Sequence, residues 1–382
     1  MTKRDFQTRP KIGRPRHPTA IDLFAGCGGL TSGLRAAGFR VLGAVEKDAD
    51  AARSYVANHP KVKVFENDIR EISPREMIAA LKLPVGERLD LIAGCPPCQG
   101  FTRLTENNGR RDRRNSLIRE FLRFVVELKP KTCMMENVPG LLTRGKHYFQ
   151  ELKLGLEEAG YSVTYQVVEL ANYGVPQFRR RLVVLASRSG SIAIPRATHA
   201  DPKNARKIKR TRPWRTVRSV LSGMPTPPLR SAVKAGTAKC RLRWHYARDL
   251  QPIVRKRLKH SLGNGAGRSK LPAALRLACH DRRPDGFYDV YGAMNWDEPA
   301  PTMTSGCTNA SKGRFGHPKF PRPLTAREAA LLQSFPRSYK FEGSGLESVA
   351  RQIGNALPRR FAKVVGAAVY KQLRSATGSN RS

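Results

Sequence analysis

Residues 19–34 read TAIDLFAGCGGLTSGL. The apolar run from Thr19 to Ala25 has the length and content of a buried strand, and it stops at the turn Gly26-Cys27-Gly28-Gly29. The stretch LTSGLRAAG that follows predicts a helix. A strand that breaks into glycines and then into a helix lets backbone pass close to a ligand. The alternation continues downstream. RVLGAVE (40–46), VKVFEN (62–67), LDLIAG (89–94), TCMMEN (132–137), SVTYQVVEL (162–170) and RLVVLAS (181–187) read as strands. DADAARSYVANH (48–59) and NSLIREFLRFVVELK (115–129) read as helices, the second with Leu117, Phe121, Phe124, Val125 and Leu128 at helical spacing. Strand–helix alternation over about 170 residues predicts an α/β fold with a doubly wound, mostly parallel sheet. Such sheets bind ligands at the carboxyl ends of their strands, where Gly26 to Gly29, Glu46, Asp68, Cys98 and Glu136 fall.

After Ser187 the alternation stops. Residues 188–322 carry 29 Lys and Arg against seven acids, a net +22 of the chain's +40. Aromatic-bearing runs, WHYARDLQPIV (244–254) and GFYDVYGAMNW (286–296), argue for packing over plain disorder. LTAREAALLQSFP (324–336) and RFAKVVGAAVYKQL (360–373) resume helical patterns. The expected organisation is a basic N-terminal arm at 1–18, a sheet domain at 19–195 completed by 323–382, and an insert at 196–322.

So large a positive excess repels itself unless a polyanion lies against it. Nucleic acid is the leading partner and an anionic membrane surface the second. No run of ~18 apolar residues is present, so no membrane span is expected. The opening MTKRDFQTRPKIGRPRHP lacks an apolar signal core, which predicts a cytoplasmic protein with reduced thiols. Seven cysteines, odd in number and irregular in spacing, speak against a disulfide framework. No second Cys-x-x-Cys or His pair completes a zinc site, so no metal is expected.

Gly26-x-Gly28 lacks the third glycine of a dinucleotide fingerprint, because Thr31 stands there. Glu46 follows the second strand, where a carboxylate can accept ribose hydroxyls, and Asp68 follows the third. A nucleoside between two carboxylates, without a pyrophosphate fingerprint, suits S-adenosylmethionine. A plain glycine turn with two surface acids accounts for these residues equally well. GCPPCQGFT (94–102) leaves three chemistries open: a redox pair, half a zinc site, or one nucleophile with an inert neighbour. Cys98 lies beyond the strand in a polar loop, as a reactive thiol requires. Cys95 adjoins the apolar LIAG and is expected to be buried. Glu136 ends the next strand, and QFRRR (177–181) places Gln177, Arg179 and Arg181 on alternate positions of an expected strand. A thiol, a carboxyl and a fixed arginine are the parts needed to attack and hold a pyrimidine.

With these residues in view, the chain resembles the DNA (cytosine-5)-methyltransferases of prokaryotic restriction–modification type. DLFAGCGGL, GCPPCQGFT, ENV, QFRRR, RPLTAREAALLQSFP and QIGNALP resemble family motifs in family order, over residues 19–187 and 322–358. Leu357 and Lys47 are small departures. The resemblance implies a Rossmann-like S-adenosylmethionine-dependent domain with a smaller inserted target recognition domain. It makes Cys98 the nucleophile at cytosine C6, on a base flipped out of duplex DNA, and gives Cys95 no role. It places Glu136 at N3, Arg181 and Arg179 at O2 and in holding the loop, and Pro97 and Gln99 around the thiol. It assigns Phe24, Gly26, Gly28, Glu46, Asp68, Ile69 and Asn355 to the cofactor. TENNGRRDRR (105–114) corresponds to a loop that closes on DNA. A cognate restriction endonuclease acting on the same site, and a monomeric state, are expected. The family's tRNA-methylating branch carries a Cys-Phe-Thr tripeptide that is absent here; non-catalytic relatives lose the Pro-Cys or the glutamate, both present here. Arg241, Arg243, Asn295 and Asn309 are candidate base readers within the insert.

Overall fold

Seven strands form one sheet: β1 (Thr19–Leu23), β2 (Arg40–Val45), β3 (Lys63–Phe65), β4 (Leu91–Gly94), β5 (Thr132–Asn137), β6 (Ser162–Glu169) and β7 (Arg180–Ser187). The structure is a computed structural model describing residues 17–83, 88–97, 113–205, 208, 210–263, 267–282, 286 and 288–378. The strand order is β3-β2-β1-β4-β5-β7-β6. All neighbours run parallel except β7, which is antiparallel to both β5 and β6. A short connection joins β6 to β7, so no crossover helix is needed there. The order reverses between β1 and β4, which opens a crevice at their carboxyl ends.

Alternation along the strands divides two cores. Ala20, Leu91, Ala93, Met134, Val183 and Leu185 face one side. Ile21, Ile92, Cys133, Met135, Leu182 and Val184 face the other. The second side is covered by α3 (Pro74–Ala80), α4 (Leu117–Leu128) and α5 (Lys146–Glu158). Residues Leu117, Ile118, Phe121, Phe124 and Val125 form the buried stripe of α4. The first side is covered by α1 (Gly29–Ala36) and the terminal helix α13 (Arg359–Gly378), with α2 (Ala49–Asn58) adding Tyr55. The two main helices touch closely: a Cβ on Gly33 would come 2.3 Å from the Ala362 Cβ.

The insert carries a two-stranded ribbon, β8 (His199–Ala200) with β9 (Arg212–Pro213), and short helices α6 (Pro202–Ala205), α7 (Arg218–Leu221), α8 (Arg230–Lys234), α9 (Pro252–His260) and α10 (Ala278–Asp281). Two of its segments are clipped together, with Val217 N donating to Glu298 O at 2.8 Å and Arg218 N to Trp296 O at 2.8 Å. Val217, Leu221, Met294, Met303 and Phe315 then share a third core with α11 (Ala326–Leu332) and α12 (Leu346–Asn355). A small fourth core, with Leu258, Leu271, Val290, Tyr291 and Ala310, lies inside the insert. Among the described residues no helix is long and apolar enough to cross a membrane.

The β1–α1 junction is held by a buried carboxyl. Asp22 Oδ2 accepts from Thr31 N at 3.1 Å and Thr31 Oγ1 at 2.7 Å, and Thr31 Oγ1 also meets Tyr55 OH at 2.7 Å. Its Oδ1 is buried without a hydrogen-bond partner. Burial pushes the Asp22 carboxyl up to about 7, against the pull of the two Thr31 donors. Because the folded chain holds this proton more tightly than the unfolded one, Asp22 favours folding fully below about pH 4. That contribution, on the order of a few kcal/mol, fades as pH rises to about 7 and then stays constant. Urea midpoints at pH 5 and pH 8 should therefore fall further apart in the wild type than in Asp22→Asn. Equal differences in the two proteins would show that Asp22 does not titrate in this window.

Candidate active site

The glycine turn after β1 is shaped by backbone that few side chains tolerate. Phe24 has φ +59°, Gly26 φ +54° and Gly28 φ +90°. A bulky residue in the left-handed region is strained, and such strain gathers at functional loops. Phe24 holds this geometry while packing on the α3–α4 core. A Cβ on Gly28 would come 2.8 Å from the His59 ring, so this position admits only glycine. The turn is propped from the far end of the chain: Tyr339 OH donates to Cys27 O at 2.6 Å. Above Gly26 the space is open, with nothing within 4 Å of an added Cβ.

Glu46 closes this turn. Its Oε2 accepts from Gly26 N at 2.7 Å and its Oε1 from Asp48 N at 2.8 Å. Burial raises its carboxyl above the ordinary value, partly opposed by these backbone donors. Glu46 N bonds Phe65 O at 3.1 Å, which sets the ends of β2 and β3 side by side. Asp68 follows β3 and caps the 3-10 turn Ile69–Glu71. Arg70 grips its carboxylate through Nε at 2.9 Å and Nη2 at 2.7 Å, and Lys47 Nζ lies 3.4 Å away. The Arg70 hydrogen bonds hold Asp68 well below the usual carboxylate range. Ile69 is 3% exposed and packs in the core, so its backbone is what it can offer a ligand. Asn355 is exposed at the last residue of α12. Two carboxylates and an open glycine turn fit an adenosyl cofactor bearing a cation.

Beyond β4 the chain is pinned toward β1 and β5. Cys95 N donates to Leu23 O at 3.3 Å, and Asn137 Nδ2 donates to Pro96 O at 3.2 Å. Pro97 is half-buried at the end of this described stretch. Cys98 and Gln99 lie outside the described residues, as do most of 105–114 and nearly all of the N-terminal arm. Cys95 is half-buried against the first core. Burial, and then the nearby Glu136 carboxylate, push its thiol well above the ordinary range. Glu136, the last residue but one of β5, is 7% exposed, and Arg181 Nε meets its Oε1 at 2.6 Å. That ion pair crosses from β5 to β7 and sits at the carboxyl edge of the sheet.

The expected strand over Gln177, Arg179 and Arg181 is shorter than its sequence suggests. Only Arg181 lies in β7, which starts at Arg180. Gln177 bridges to Ala300 instead, because this segment pairs with the insert's exit. Gln177 and Arg179 are buried, at 0% and 4% exposure. Arg179 Nη1 donates to Met303 O at 2.8 Å and Nη2 to Gly354 O at 3.2 Å. It therefore holds backbone in place, while Arg181 faces the carboxylate.

Three of the four candidate base readers are engaged elsewhere. Arg243 forms a two-pronged pair with Glu342. Asn295 Oδ1 accepts from Asp297 N, and Asn309 caps the 3-10 turn Ala310–Lys312. Arg241 is exposed. Sequence reading missed Asp22, Tyr55 and Arg70. Thr31 carried a signal for the first two: a hydroxyl where a third glycine was sought.

The family profile described as C-5 cytosine-specific DNA methylase matches residues 19–371. The Type II methylase M.HgiDII of Herpetosiphon aurantiacus is 37% identical over 359 residues, covering 92% of this chain and 95% of its own. The Type II methyltransferase M.XorII of Xanthomonas oryzae pv. oryzae is 32% identical over 387 residues, covering 94% and 85%. A crystal structure of a candidate DNA modification methyltransferase encoded within an E. coli prophage superposes with a TM-score of 0.70 at 24% identity, covering 94% of this chain and 99% of its own. At that identity the likeness speaks to the fold alone. With the profile spanning nearly the whole sheet domain and insert, the chain belongs to the C-5 cytosine-specific DNA methylases.

Proposed function

We propose that the chain transfers a methyl group from S-adenosylmethionine to C5 of a cytosine within a specific duplex sequence, with Cys98 as nucleophile. The observation that carries this reading is the Glu136–Arg181 pair at 2.6 Å, on the sheet edge to which the Pro96–Pro97 segment is pinned. Cytosine C5 is a weak nucleophile. A thiolate adding to C6 makes the ring enamine-like and C5 able to accept a methyl group. Glu136, protonated or hydrogen-bonded at N3, stabilises the charge that develops in the ring, and Arg181 fixes the Glu136 side chain while reaching toward O2. Loss of H5 and of the thiol restores the aromatic ring. The base leaves the stack to be reached, at a cost of roughly a few kcal/mol. Glu46, Asp68, Phe24, Gly26, Gly28, the Ile69 backbone and Asn355 would hold the cofactor. When bound, that cofactor supplies an electrophilic methyl group.

Residues 196–322 form the target recognition domain in this reading, with 19–195 and 323–382 the catalytic domain. The Type II names of the relatives favour a role in a restriction–modification system, protecting host DNA from an endonuclease that cuts the same site. Methyl transfer assayed on duplex DNA and tRNA in parallel separates this from an RNA-directed activity.

Trapping separates the two neighbouring cysteines. With 5-fluorocytosine in the target, fluorine replaces the hydrogen that must leave, so the adduct persists. Peptide mapping should place the DNA on Cys98, and Cys95→Ser should still trap. A trap surviving Cys98→Ser but lost in Cys95→Ser would reverse the assignment. Glu46→Ala should raise the cofactor's dissociation constant at least tenfold, because it removes the turn's closing contact as well as a ribose acceptor. DNA affinity measured without cofactor should change little, and equal loss of both would indicate a folding defect. Exchanging residues 196–322 for those of a relative with a different target should move methylation to the new site in bisulfite sequencing. An active graft that keeps the old target would place recognition outside the insert.

A further inference from the structure

A cleft of about 790 Å³ opens between α13, the end of α11 and the β8–β9 ribbon, and its lining includes none of the residues assigned above to the cofactor or to the Glu136–Arg181 pair. Its lining holds six cations, Arg210, Arg212, Arg215, Arg359, Arg360 and Lys363, and no acid. Among the described residues none of the six forms an ion pair with an acid. Burial first, and then Arg215, Arg359 and Arg212, push the Arg360 guanidinium below its ordinary value. His199, at 8% exposure on the cleft wall, is likewise pushed down by burial and by Arg360, Arg212 and Arg215. A like-charged cluster of this kind raises the free energy of the fold unless an anion offsets it.

The cleft is joined to the active edge of the sheet. Trp214, beside Arg215, stacks edge-on against Phe178 at 5.1 Å, immediately before Arg179 and Arg181. Trp214 Nε1 also donates to Asn172 Oδ1 at 2.8 Å, in the turn that follows the carboxyl end of β6. Six cations exceed what a single phosphate group needs. The three rings on the wall, Tyr173, His199 and Phe335, are 5%, 8% and 2% exposed, so none offers a face on which a free nucleotide's base could stack. A repeating phosphodiester needs no such face.

We infer that this cleft binds the phosphodiester backbone of the DNA duplex outside the target sequence, as a sequence-independent anchor beside the catalytic edge. The inference rests on the DNA-methylating function proposed above. It adds a second contact region whose role is affinity and not base choice.

The test uses the full chain, the double variant Arg212→Gln/Arg215→Gln, and two duplexes that share one target. One duplex ends a few base pairs from the target, and the other carries long flanks. Fluorescence anisotropy across a salt series should show weaker binding of the long duplex by the variant, tenfold or more at low salt. The log–log salt slope should fall by about 1.8, at ~0.9 for each lost phosphate contact. Binding of the short duplex, and its single-turnover methylation at saturation, should stay as in the wild type. Arg212→Lys/Arg215→Lys keeps the charges and should retain the long-duplex affinity, which distinguishes lost charge from a folding defect. Equal loss on both duplexes, or no loss on either, would overturn the inference. So would tripolyphosphate that shifts the His199 ring resonances without displacing the long duplex, since the cleft would then serve a free polyphosphate. If the wild type bound the long duplex through the cleft but methylated neither DNA, the proposed activity would fail and the anchor would stand.

Discussion

The arrangement of this enzyme depends on one buried polar knot. Gln177 Oε1 accepts from Met303 N at 2.9 Å, Gln177 Nε2 donates to Gln333 Oε1 at 2.9 Å, and Gln333 Nε2 donates to Ile353 O at 2.6 Å. Arg179 spans the same ground, from Met303 O to Gly354 O. Four segments far apart in the chain thus meet through two side-chain amides and one guanidinium. A guanidinium without carbonyl acceptors here would be costly to bury, and a lysine could not reach both carbonyls with a fixed fork. The approach is so close that a Cβ on Gly354 would lie 2.2 Å from the Thr304 carbonyl carbon. Because Arg181 lies two residues from Arg179 and Asn355 adjoins Gly354, the Glu136–Arg181 pair and the end of α12 share one frame with the insert.

Much of the fold was legible because its signals are local. The run TAIDLFA followed by glycines announced β1 and its turn, and the spacing of Phe121, Phe124 and Val125 announced α4. Cys95 was expected to be buried beside LIAG and is half-buried there, because it stands just past the strand end. Glu46 and Glu136 stand out in the sequence because each lies at the carboxyl end of a strand, one just past β2 and the other one residue before the end of β5. What was not legible is long-range. Nothing adjacent in sequence says that Gln177 will pair with Ala300, or that Arg243 will be taken by Glu342. Thr31 looked like a missing glycine, whereas its hydroxyl joins Asp22 to Tyr55. A fingerprint defined by small residues cannot register a position where the side chain itself closes the turn.

Charge joins the insert to the sheet domain at one buried point, where Arg322 grips Glu328 of α11 through contacts of 2.8 and 2.7 Å. Two further pairs across this boundary, Arg243–Glu342 and Arg248–Glu347, are partly exposed, and pairs of that kind contribute roughly 0–1 kcal/mol each. The apolar core that Val217, Met294, Met303 and Phe315 share with α11 and α12 supplies the rest of the attachment. Most of the insert's cations are therefore separable from its attachment. The excess arginine and lysine remain available to a polyanion while the hydrophobic contacts keep the geometry.

The clip at the base of the insert has a consequence for how such chains diverge. Val217 and Arg218 are bonded to Glu298 and Trp296, so the intervening residues leave and return at one point. For a loop anchored in this way, doubling its length adds only about 0.6 kcal/mol of closure entropy. Chain added at exposed turns between the anchors therefore costs the sheet little, whereas Leu221 and Met294, which also lie between them, must keep filling the core shared with α11 and α12. Length can thus vary between the two anchors while the residues that seat the insert stay in place.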